Sequence, residues 1–371
     1  MLGLLAIPCY LILHFSNNQL SFTDLAALFN EHQVLIIGGI ITWAVLFVLS
    51  TRFYEHAKYD MKVNEFGMTN GKDYWHMSDK ERREMDQKRQ EQMDRVLPQS
   101  TIDKATHRGA KNPDAEMQNL YGMETEKNKI KEIVARAKFD KKSGKGKFGS
   151  HYVFYGAPGT GKTTFARILT GYLYKNGIIK KNQIIEVDGN TLKGGAPGEG
   201  ALKAEILVKN AIGGVLFIDE AYSMAEGTFG AEAVSTLIKL MEDRRGDFVL
   251  ILAGYTNPMA MLLESNPGFR SRIKDYLEFP DYTTEEAVQI LEGMAKSEGL
   301  TITKSAVEKF KKRYEKEAKK KDFANARTVR NILDEAISSY ALRAENGLLS
   351  SADRAITDAD INENIPKNPW D

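Results

Sequence analysis

Hydrophobic residues follow three different patterns along this chain of 371 residues. Near the N-terminus they form long uncharged runs, between about residues 150 and 255 they form short runs that end in turn or acidic residues, and after Thr283 they recur at spacings of three and four. Short runs of this kind are typical of strands buried in a parallel sheet, and spacings of three and four are typical of amphipathic helices. The patterns therefore predict an apolar N-terminus, an α/β domain and a small helical domain.

The N-terminal runs predict a membrane anchor at residues 1–52. Residues 32–51 contain no Asp, Glu, Lys or Arg, and as a helix they would span roughly 30 Å, the thickness of the hydrocarbon core of a bilayer. A buried helix of a soluble domain is the alternative interpretation. Residues 1–15 are also apolar but shorter, and they could form the first arm of a transmembrane hairpin, a re-entrant segment or the hydrophobic part of a signal peptide.

The charges that flank these runs predict the orientation of the chain. The loop at residues 16–33 contains no Lys or Arg, whereas three basic residues follow the second run, namely Arg52, Lys58 and Lys62. Short loops rich in Lys and Arg stay on the cytoplasmic side of a membrane. We therefore expect a protein of a bacterial-type inner, or cytoplasmic, membrane, with the rest of the chain in the cytoplasm.

Residues 53–115 are predicted to form a charged spacer and linker. Ser78 and Glu81 have the spacing of a capping box, so a helix is expected to begin there and to continue to about Arg95. Its apolar stripe is thin, which favours a solvated helix over a coiled coil. A flexible stretch is then indicated by three residues that interrupt regular structure, namely Pro98, Gly109 and Pro113.

A glycine-rich segment at residues 156–163 carries the main chemical signal. It fits the pattern G-x-x-x-x-G-K-[ST], follows a short apolar run and precedes residues with helical spacing. Its glycines allow successive N–H groups to point at one anion beside the positive end of a helix. Lys162 would reach the β- and γ-phosphates of ATP, and Thr163 would complete the shell of a Mg²⁺ ion. The predicted cofactor-binding residues here are Gly156, Pro158, Gly159, Thr160, Gly161, Lys162, Thr163 and Thr164; a ligand-free turn is the alternative.

A second apolar run, at residues 214–218, ends in Asp219 and Glu220. The carboxyl end of this predicted strand would lie beside the phosphate loop in a doubly wound sheet. Asp219 would then hold the Mg²⁺ ion, and Glu220 would polarise the water that attacks the γ-phosphate. The alternative is a buried strand that ends in two ordinary capping residues.

Two further pairs of polar residues follow apolar runs. The run at residues 248–255 ends at Thr256 and Asn257, which could position a water molecule, although a simple turn is a comparable interpretation. Arg270 and Arg272 lie on a predicted loop, and such a pair is usually a solvated surface. The residues alone leave both alternatives open.

The composition limits the classes of partner. Lys and Arg number 51 against 50 Asp and Glu, so the net charge is +1 and no overall field favours nucleic acid. The basic stretch at residues 138–147 contains glycines and no interleaved aromatic pair, which favours a solvated loop. The single cysteine, Cys9, excludes a disulfide framework or a zinc site made of cysteines within one chain.

From residue 120 to about residue 364 the sequence resembles the CbxX/CfxQ branch of the AAA+ ATPases. The matching strings lie at residues 156–163, 213–222, 252–255, 265–273 and 323–327. The resemblance implies a three-layer α/β phosphate-loop domain with a parallel sheet at 116–282, a helical lid at 283–364 and a short tail at 365–371. It also implies a homo-oligomeric ring, usually a hexamer, with ATP bound at the subunit interfaces.

The resemblance also implies roles for residues outside the phosphate loop. Arg270 and Arg272 look like arginine fingers that act on the ATP of a neighbouring subunit. Arg327 looks like the sensor-2 arginine of the lid, and the sensor-1 position falls on Asn257 or Thr256. A segment that flanks the adenine is implied at Tyr121 and Gly122.

The chain departs from the branch in the loop expected to face a central pore. Where relatives have an aromatic-aliphatic pair, residues 194–200 consist mainly of glycine, with Ala196 and Pro197 in the middle. Neither side chain can grip a polypeptide as an aromatic ring would.

These features predict a membrane-anchored ATPase that couples hydrolysis of Mg·ATP to the remodelling of an unidentified protein partner, in a secretion, transfer or envelope system. The alternative function is an ATP-switched membrane scaffold that assembles without threading polypeptide. A nucleic-acid motor ranks third because the net charge is close to zero.

Overall fold

The structure is a computed structural model that describes residues 78–143, 151–227, 229–347 and 354–364. The chain divides into two compact units, Met1–Asp86 and Gln87–Asp371, and the first is described only from residue 78 onwards. The predicted membrane segments at residues 1–15 and 32–51 lie outside the described residues. Among the helices in the described ranges, none is long and apolar enough to cross a membrane.

The first described helix, α1 (Asp79–Val96), begins with the predicted capping box. The backbone N–H of Ser78 donates to Oε2 of Glu81 at 2.7 Å, and the backbone N–H of Glu81 donates to Oγ of Ser78 at 3.3 Å. These two bonds satisfy N–H groups that have no partner within the helix. The predicted start of this helix is therefore confirmed.

The expectation of a flexible linker before residue 115 is wrong for the stretch from Met93 to Ala110. Met93, Leu97 and Ile102 are buried in the main core, and a short helix, α2 (Gln99–Ala105), leads into an edge strand, β1 (Thr106–Arg108). Apolar residues are sparse in this stretch, so its sequence shows no periodicity; their partners lie on distant elements that pattern analysis of a single segment does not reveal.

A six-stranded sheet forms the centre of the larger unit. Its order is β1–β3–β4–β5–β2–β6, and β1 pairs antiparallel with β3 while all other neighbours pair in parallel. The strands after β1 are β2 (His151–Gly156), β3 (Gln183–Asp188), β4 (Val215–Asp219), β5 (Val249–Gly254) and β6 (Ile273–Phe279). The predicted α/β fold is confirmed with a mostly parallel sheet, of which β1 and β6 were not predicted.

Helices cover both faces of this sheet. One face packs against α3 (Pro113–Gln118), α4 (Glu124–Lys142) and α5 (Lys162–Lys175). The other packs against α6 (Glu199–Ala211), α7 (Gly230–Asp243), α8 (Thr256–Ser265) and α9 (Pro267–Arg272). Successive strand residues point to opposite faces, so Phe217 lies in the first core and Ile218 in the second. Both faces of the central strands β2, β4 and β5 are almost entirely buried, which explains their continuous apolar runs, whereas the edge strand β6 alternates buried and exposed residues.

The C-terminal part of the described chain forms a small helical domain with its own core. It contains α10 (Thr284–Ser297), α11 (Lys304–Glu317) and α12 (Ala326–Glu345), with a two-stranded parallel ribbon of β7 (Thr301–Ile302) and β8 (Ala355–Ile356). Thr283 and Glu286 form a capping box at the start of α10. Leu291, Phe310 and Ile332 belong to the buried core of this domain. The helical lid predicted from residue 283 is confirmed.

Candidate active site

A cavity of about 310 Å³ lies at the carboxyl end of the sheet, between the α/β domain and the lid. The α/β domain contributes residues of the loop after β2 and of the ends of β4 and β5, and the lid contributes residues of α10 and α12. The lining residues are Pro158, Gly159, Thr160, Gly161, Lys162, Thr163, Thr164, Asp219, Glu220, Gly254, Tyr255, Met294, Ala326, Arg327 and Arg330. All predicted phosphate-loop residues except Gly156 line this cavity.

The phosphate loop connects β2 to α5 and takes its shape from glycine. Gly156 has φ +146°, and a Cβ atom there would lie 2.1 Å from the carbonyl oxygen of Phe279 on the neighbouring strand. A side chain therefore cannot fit at this position. Gly161 has φ +90° at the N-terminal end of α5, where the helix begins with Lys162. Because the N-terminus of a helix has unpaired N–H groups and a partial positive charge, the loop is suited to bind an anion.

The ammonium group of Lys162 is held over the phosphate loop. Its Nζ donates hydrogen bonds to the carbonyl oxygens of Gly156 at 3.0 Å and Ala157 at 2.7 Å. Burial lowers the pKa of Lys162, and the nearby carboxylate of Asp219 opposes that shift. The same atom lies 6.0 Å from the centre of the Tyr255 ring. An anion in the cavity would find this cation oriented and largely shielded from water.

The two carboxylates predicted from the sequence both line the cavity. Oδ1 of Asp219 accepts a hydrogen bond from the backbone N–H of Glu220 at 3.0 Å. Glu220 has φ +45° and ψ +42°, a left-handed conformation that is uncommon for a residue other than glycine. Such strain is often retained at functional sites. The conformation turns the chain sharply after β4, so that consecutive carboxylates reach the same cavity.

The residues present fit a Mg²⁺ ion. Thr163 supplies a hydroxyl oxygen and Asp219 a carboxylate oxygen on the cavity wall, and Mg²⁺ prefers oxygen ligands, usually one or two from the protein together with water and substrate phosphates. Both residues are half-buried, so they remain accessible from the cavity.

The lid contributes two exposed arginines, one turn apart on α12. Arg327 was predicted at this position, whereas Arg330 was missed, as were Met294 of α10 and Tyr255 at the end of β5. The interval of three residues between Arg327 and Arg330 places them on one face of a helix, but this signal is common on solvated helices. Only the fold shows that this face of α12 lies against the cavity.

Asn257 and Thr256 do not line the cavity. Both lie in the first turn of α8, with exposed side chains, because β5 ends at Gly254 and the chain turns at once into the helix. The geometry therefore gives no support to the predicted role of Asn257 in positioning water. Tyr255 occupies the adjacent part of the wall instead.

The segment expected to flank an adenine lies against the lid rather than in the cavity wall. Gly122 has φ +66° and lies beside Glu286, whose Oε1 accepts a hydrogen bond from the backbone N–H of Met123 at 3.2 Å. The ring of Tyr121 contacts Gly293, where a Cβ atom would meet it at 2.5 Å. Tyr121 and Gly122 thus lie against α10, the helix that also carries Met294, and their role stays a prediction.

The two arginines of α9 lie outside the cavity of their own chain. The side chain of Arg270 is exposed, whereas Arg272 forms an ion pair with Glu242 of α7 at 3.4 Å and donates to the carbonyl oxygen of Gly268 at 3.1 Å. An arginine finger acts on the site of another subunit, so a position outside the chain's own cavity is compatible with that role.

This fold and site define a phosphate-loop ATPase with a helical lid. Residues 152–281 match the family described as "ATPase family associated with various cellular activities (AAA)", and residues 283–369 match the AAA lid domain. The chain is 39% identical over 251 residues to the chloroplastic ribulose bisphosphate carboxylase/oxygenase activase of Cyanidioschyzon merolae. The aligned region covers 65% of this chain and 84% of that protein.

Further relatives agree with this result. The Protein CfxQ homolog of Pyropia yezoensis is 38% identical over 66% of this chain and 83% of that protein, and stage V sporulation protein K of Bacillus subtilis is 38% identical over 64% and 78%. The chain therefore belongs to the AAA ATPases, in the group of the CfxQ proteins. The solved AAA domain of FIGL-1 with ADP shares the fold, with 19% identity, a TM-score of 0.52 and coverage of 72% of this chain and 87% of that one.

Proposed function

We propose that this AAA ATPase is anchored in a bacterial-type inner membrane and uses the hydrolysis of Mg·ATP to remodel a protein partner, as a ring of identical subunits. The observation that carries the central part of the proposal, the hydrolysis of Mg·ATP, is the charge arrangement in the cavity. Lys162, Arg327 and Arg330 supply three positive charges, and Asp219 and Glu220 supply two negative ones. This arrangement suits a polyphosphate bound together with a divalent cation.

The residues divide the work of hydrolysis between them. The phosphate loop and Lys162 bind and orient the phosphates of ATP. Thr163 and Asp219 would hold a Mg²⁺ ion, which when bound neutralises charge on the phosphates. Glu220 polarises the attacking water, and Arg327 of the lid, with Arg330 beside it, stabilises negative charge that develops on the γ-phosphate.

A ring of subunits, which we expect to be a hexamer, would supply the missing group at the interface. Arg270 is exposed on α9 and lies outside its own cavity. In the proposed ring it reaches the ATP of a neighbouring subunit and stabilises the transferring phosphoryl group, as arginine fingers do when supplied in trans. Hydrolysis then depends on assembly.

The proposal of a protein partner rests on the relatives. The relative from Cyanidioschyzon merolae is named an activase of ribulose bisphosphate carboxylase/oxygenase, so it acts on another protein. Remodelling of a protein is therefore the favoured use of ATP here, while the near-zero net charge argues against nucleic acid. The apolar runs in residues 1–52 would place this activity at the cytoplasmic face of a membrane.

Two substitutions test the assignment of the site. We expect Lys162→Ala to abolish ATP binding, and Glu220→Gln to leave binding intact while slowing hydrolysis by about two orders of magnitude or more, because the first removes a phosphate contact and the second only the group that activates water. Calorimetry with ATP and a phosphate-release assay measure the two effects.

Matched controls are available on exposed surfaces. Lys131→Ala on α4 and Glu264→Gln on α8 make the same chemical changes away from the cavity, and both should behave as wild type. Equal affinity for ATP in wild type and Lys162→Ala would contradict the proposed site.

An ATP-switched scaffold is the second candidate. The observation that favours it is the loop at residues 193–200, which contains no aromatic side chain and whose polar groups are bonded within the α/β domain. A scaffold would bind ATP and assemble, and Glu220→Gln would preserve its cellular function. A remodelling enzyme would lose its function with the same substitution.

A further inference from the structure

Asn325, in the loop before α12, connects three separate segments of the molecule. Its side chain is fully buried. Its Nδ2 donates to the carbonyl oxygen of Pro158 at 3.2 Å and to Oδ1 of Asp281 at 2.7 Å, and its Oδ1 accepts from the backbone N–H of Tyr282 at 2.9 Å. One amide thus joins the phosphate loop, the lid and the segment at residues 280–283 between β6 and α10, which we call the hinge.

The backbone at Asn325 is held in an uncommon conformation. Its φ is +50° and its ψ is −120°, in the half of conformational space that favours glycine. Such a conformation costs on the order of 1 kcal/mol and persists where the surrounding structure fixes it. The three side-chain bonds and the complete burial supply that fixation, so the amide is a specific part of the structure.

Three consecutive carbonyl groups of the phosphate loop accept hydrogen bonds from the hinge and the lid. Pro158 accepts from Nδ2 of Asn325, Gly159 from the backbone N–H of Ala326 at 3.2 Å, and Thr160 from the hydroxyl of Tyr282 at 3.1 Å. At Gly159 a Cβ atom would lie 2.1 Å from the carbonyl oxygen of Ala324 in the lid loop. The two loops are therefore in direct contact.

These hydrogen bonds to the carbonyl oxygens also fix the direction of the N–H groups in the same peptide units. A trans peptide is planar, and its C=O and N–H point in opposite directions. When the carbonyl groups of residues 158–160 point to the lid, the N–H groups of residues 159–161 point away from it. Those N–H groups belong to the phosphate-binding loop, so the lid donors fix the orientation of the groups that would hold phosphate.

We propose that Asn325 is a positioning residue that couples the orientation of the phosphate-loop peptides to the position of the lid. This inference rests on the proposed function of the site as an ATP-binding cavity. Because coupling between two equilibria is reciprocal, binding of phosphate groups stabilises the lid position seen here, and displacement of the lid weakens the phosphate loop. Arg327 and Arg330 on α12 follow that movement.

The amide of Asn325 has a particular chemical requirement. An aspartate has nearly the same shape and can still accept from the N–H of Tyr282, but it cannot donate to Pro158 or to Asp281. It would also bring two carboxylates together. Asn325→Asp should therefore weaken binding of ADP by about ten- to a hundredfold, the size expected when a buried carbonyl loses its donor and a like charge is added.

A swapped double variant separates coupling from simple structural support. Asp281→Asn combined with Asn325→Asp restores the bond between positions 281 and 325 with its direction reversed, but leaves the carbonyl of Pro158 without a side-chain donor. We expect this variant to recover part of the melting temperature that Asn325→Asp loses in the absence of nucleotide, because the bond between positions 281 and 325 returns, and to keep the weakened binding of ADP.

Lid position provides the readout that a merely structural residue would not change. Cys9→Ser first removes the single native cysteine of the full chain. Dyes are then attached to cysteines introduced by Lys131→Cys on α4 and Lys312→Cys on α11, and they report the distance between the α/β domain and the lid. ADP should change this distance in wild type and in the matched control Asn331→Asp, on the exposed side of α12. In the swapped variant the response to saturating ADP should be lost.

Wild-type affinity for ADP together with a wild-type lid response in the swapped variant would overturn the proposal. If the swapped variant is too unstable to measure, Asn325→Gly decides instead, because glycine adopts the positive φ at this position without strain and the substitution removes only the side-chain amide; unchanged ADP affinity and lid response would then overturn the proposal. Failure of wild type to bind ADP would contradict the proposed function and this inference together. Wild type that binds ADP but remodels no partner would contradict the proposed function alone.

Discussion

Nε of Arg272 lies 3.4 Å from Oε2 of Glu242, an ion pair that ties α9 to α7. Arg270, two residues earlier on the same short helix, is exposed and forms no ion pair within the described residues. The two arginines were equivalent candidates for a finger in the sequence. We therefore expect Arg272 to support α9 and Arg270 to be the arginine that acts on another subunit.

Arg270→Ala should lower ATP turnover by about 10³-fold or more while leaving ATP affinity unchanged, since a trans-acting arginine stabilises the transition state and not the bound substrate. Arg272→Ala should cause a smaller loss of turnover together with reduced thermal stability, because it breaks the contact with Glu242. Steady-state hydrolysis and melting temperatures measure both effects.

Subunit mixing tests whether the arginine acts in trans. Rings that combine Arg270→Ala with Glu220→Gln subunits should recover part of the activity where a wild-type Arg270 faces a wild-type Glu220. Lys274→Ala, at an exposed position of β6, is the matched control for loss of a surface charge. A monomer that hydrolyses ATP at full rate after either arginine substitution would disprove the interface site.

The buried histidine at the start of β2 predicts a dependence of stability on pH. Nδ1 of His151 accepts a hydrogen bond from the backbone N–H of Leu250 at 3.0 Å, and burial lowers the pKa of the imidazole from 6.5 to about 4. Between these values the unfolded chain binds more protons than the folded chain. The stability that the fold has with neutral, buried His151 is therefore fully present above about pH 6.5. As the pH falls towards 4, the free energy of unfolding decreases by up to about 3 kcal/mol.

Urea denaturation of wild type and His151→Asn between about pH 7 and about pH 4.5 measures this effect. The variant keeps an acceptor for Leu250 but cannot titrate. As the pH falls, the unfolding free energy of wild type should therefore decrease more than that of His151→Asn. His107→Asn, at an exposed position of β1, controls for loss of a histidine. A difference independent of pH would show that His151 does not titrate in this window.

Local features were predictable from the sequence, and features made by distant contacts were not. The phosphate loop, Asp219 with Glu220, and the capping box of Ser78 with Glu81 depend on residues close together in the chain, so spacing reveals them. Asn325 carries no such signal, because its partners at positions 158 and 281 lie more than forty residues away in the sequence.

The same reason explains two differences between the expectations from the sequence and the structure. β1 has three residues and no apolar alternation, and it is a strand only because the edge of β3 offers it a partner. Asn257 follows a correctly predicted strand, but the chain enters α8 immediately after that strand, which moves the side chain away from the cavity. Spacing alone does not distinguish a loop that follows a strand from a helix that does.

Two truncations test the proposed membrane anchor. Removal of residues 1–31 should leave the protein in the membrane fraction after carbonate extraction, because residues 32–51 alone are long enough to span the hydrocarbon core, whereas removal of residues 1–52 should release an ATPase with basal activity. The phosphate loop and both cavity carboxylates lie well after residue 52, so the second truncation leaves them intact. Extraction of the full chain by carbonate would contradict the anchor.

The loop at residues 193–200 is fastened by its own polar groups. The backbone N–H of Gly195 donates to Oε2 of Glu199 at 2.7 Å, Lys203 forms an ion pair with Glu199 at 3.0 Å, and the backbone N–H of Gly198 donates to Oε2 of Glu232 on α7 at 2.7 Å. Both carboxylate oxygens of Glu199 are therefore already bonded within the α/β domain, so this side chain is not available to engage a partner while the loop keeps this conformation.

A pore loop performs mechanical work only if its side chains hold the substrate during the movement of the subunit. Ala196 and Pro197 are exposed at the tip but offer little apolar area, whereas an aromatic ring buries enough surface to grip a polypeptide. We therefore expect the wild-type ring to show little or no ATP-dependent unfolding of a fluorescent protein that carries an unstructured tail.

Ala196→Tyr should add ATP turnover that is stimulated by that tail, while Ala318→Tyr, at an exposed position of the lid, should not. Loss of fluorescence under single-turnover conditions measures the unfolding, and the rate of phosphate release measures the stimulation. Strong unfolding by wild type that Ala196→Gly with Pro197→Gly abolishes would show that the loop grips without an aromatic residue, and would favour the threading motor over the scaffold.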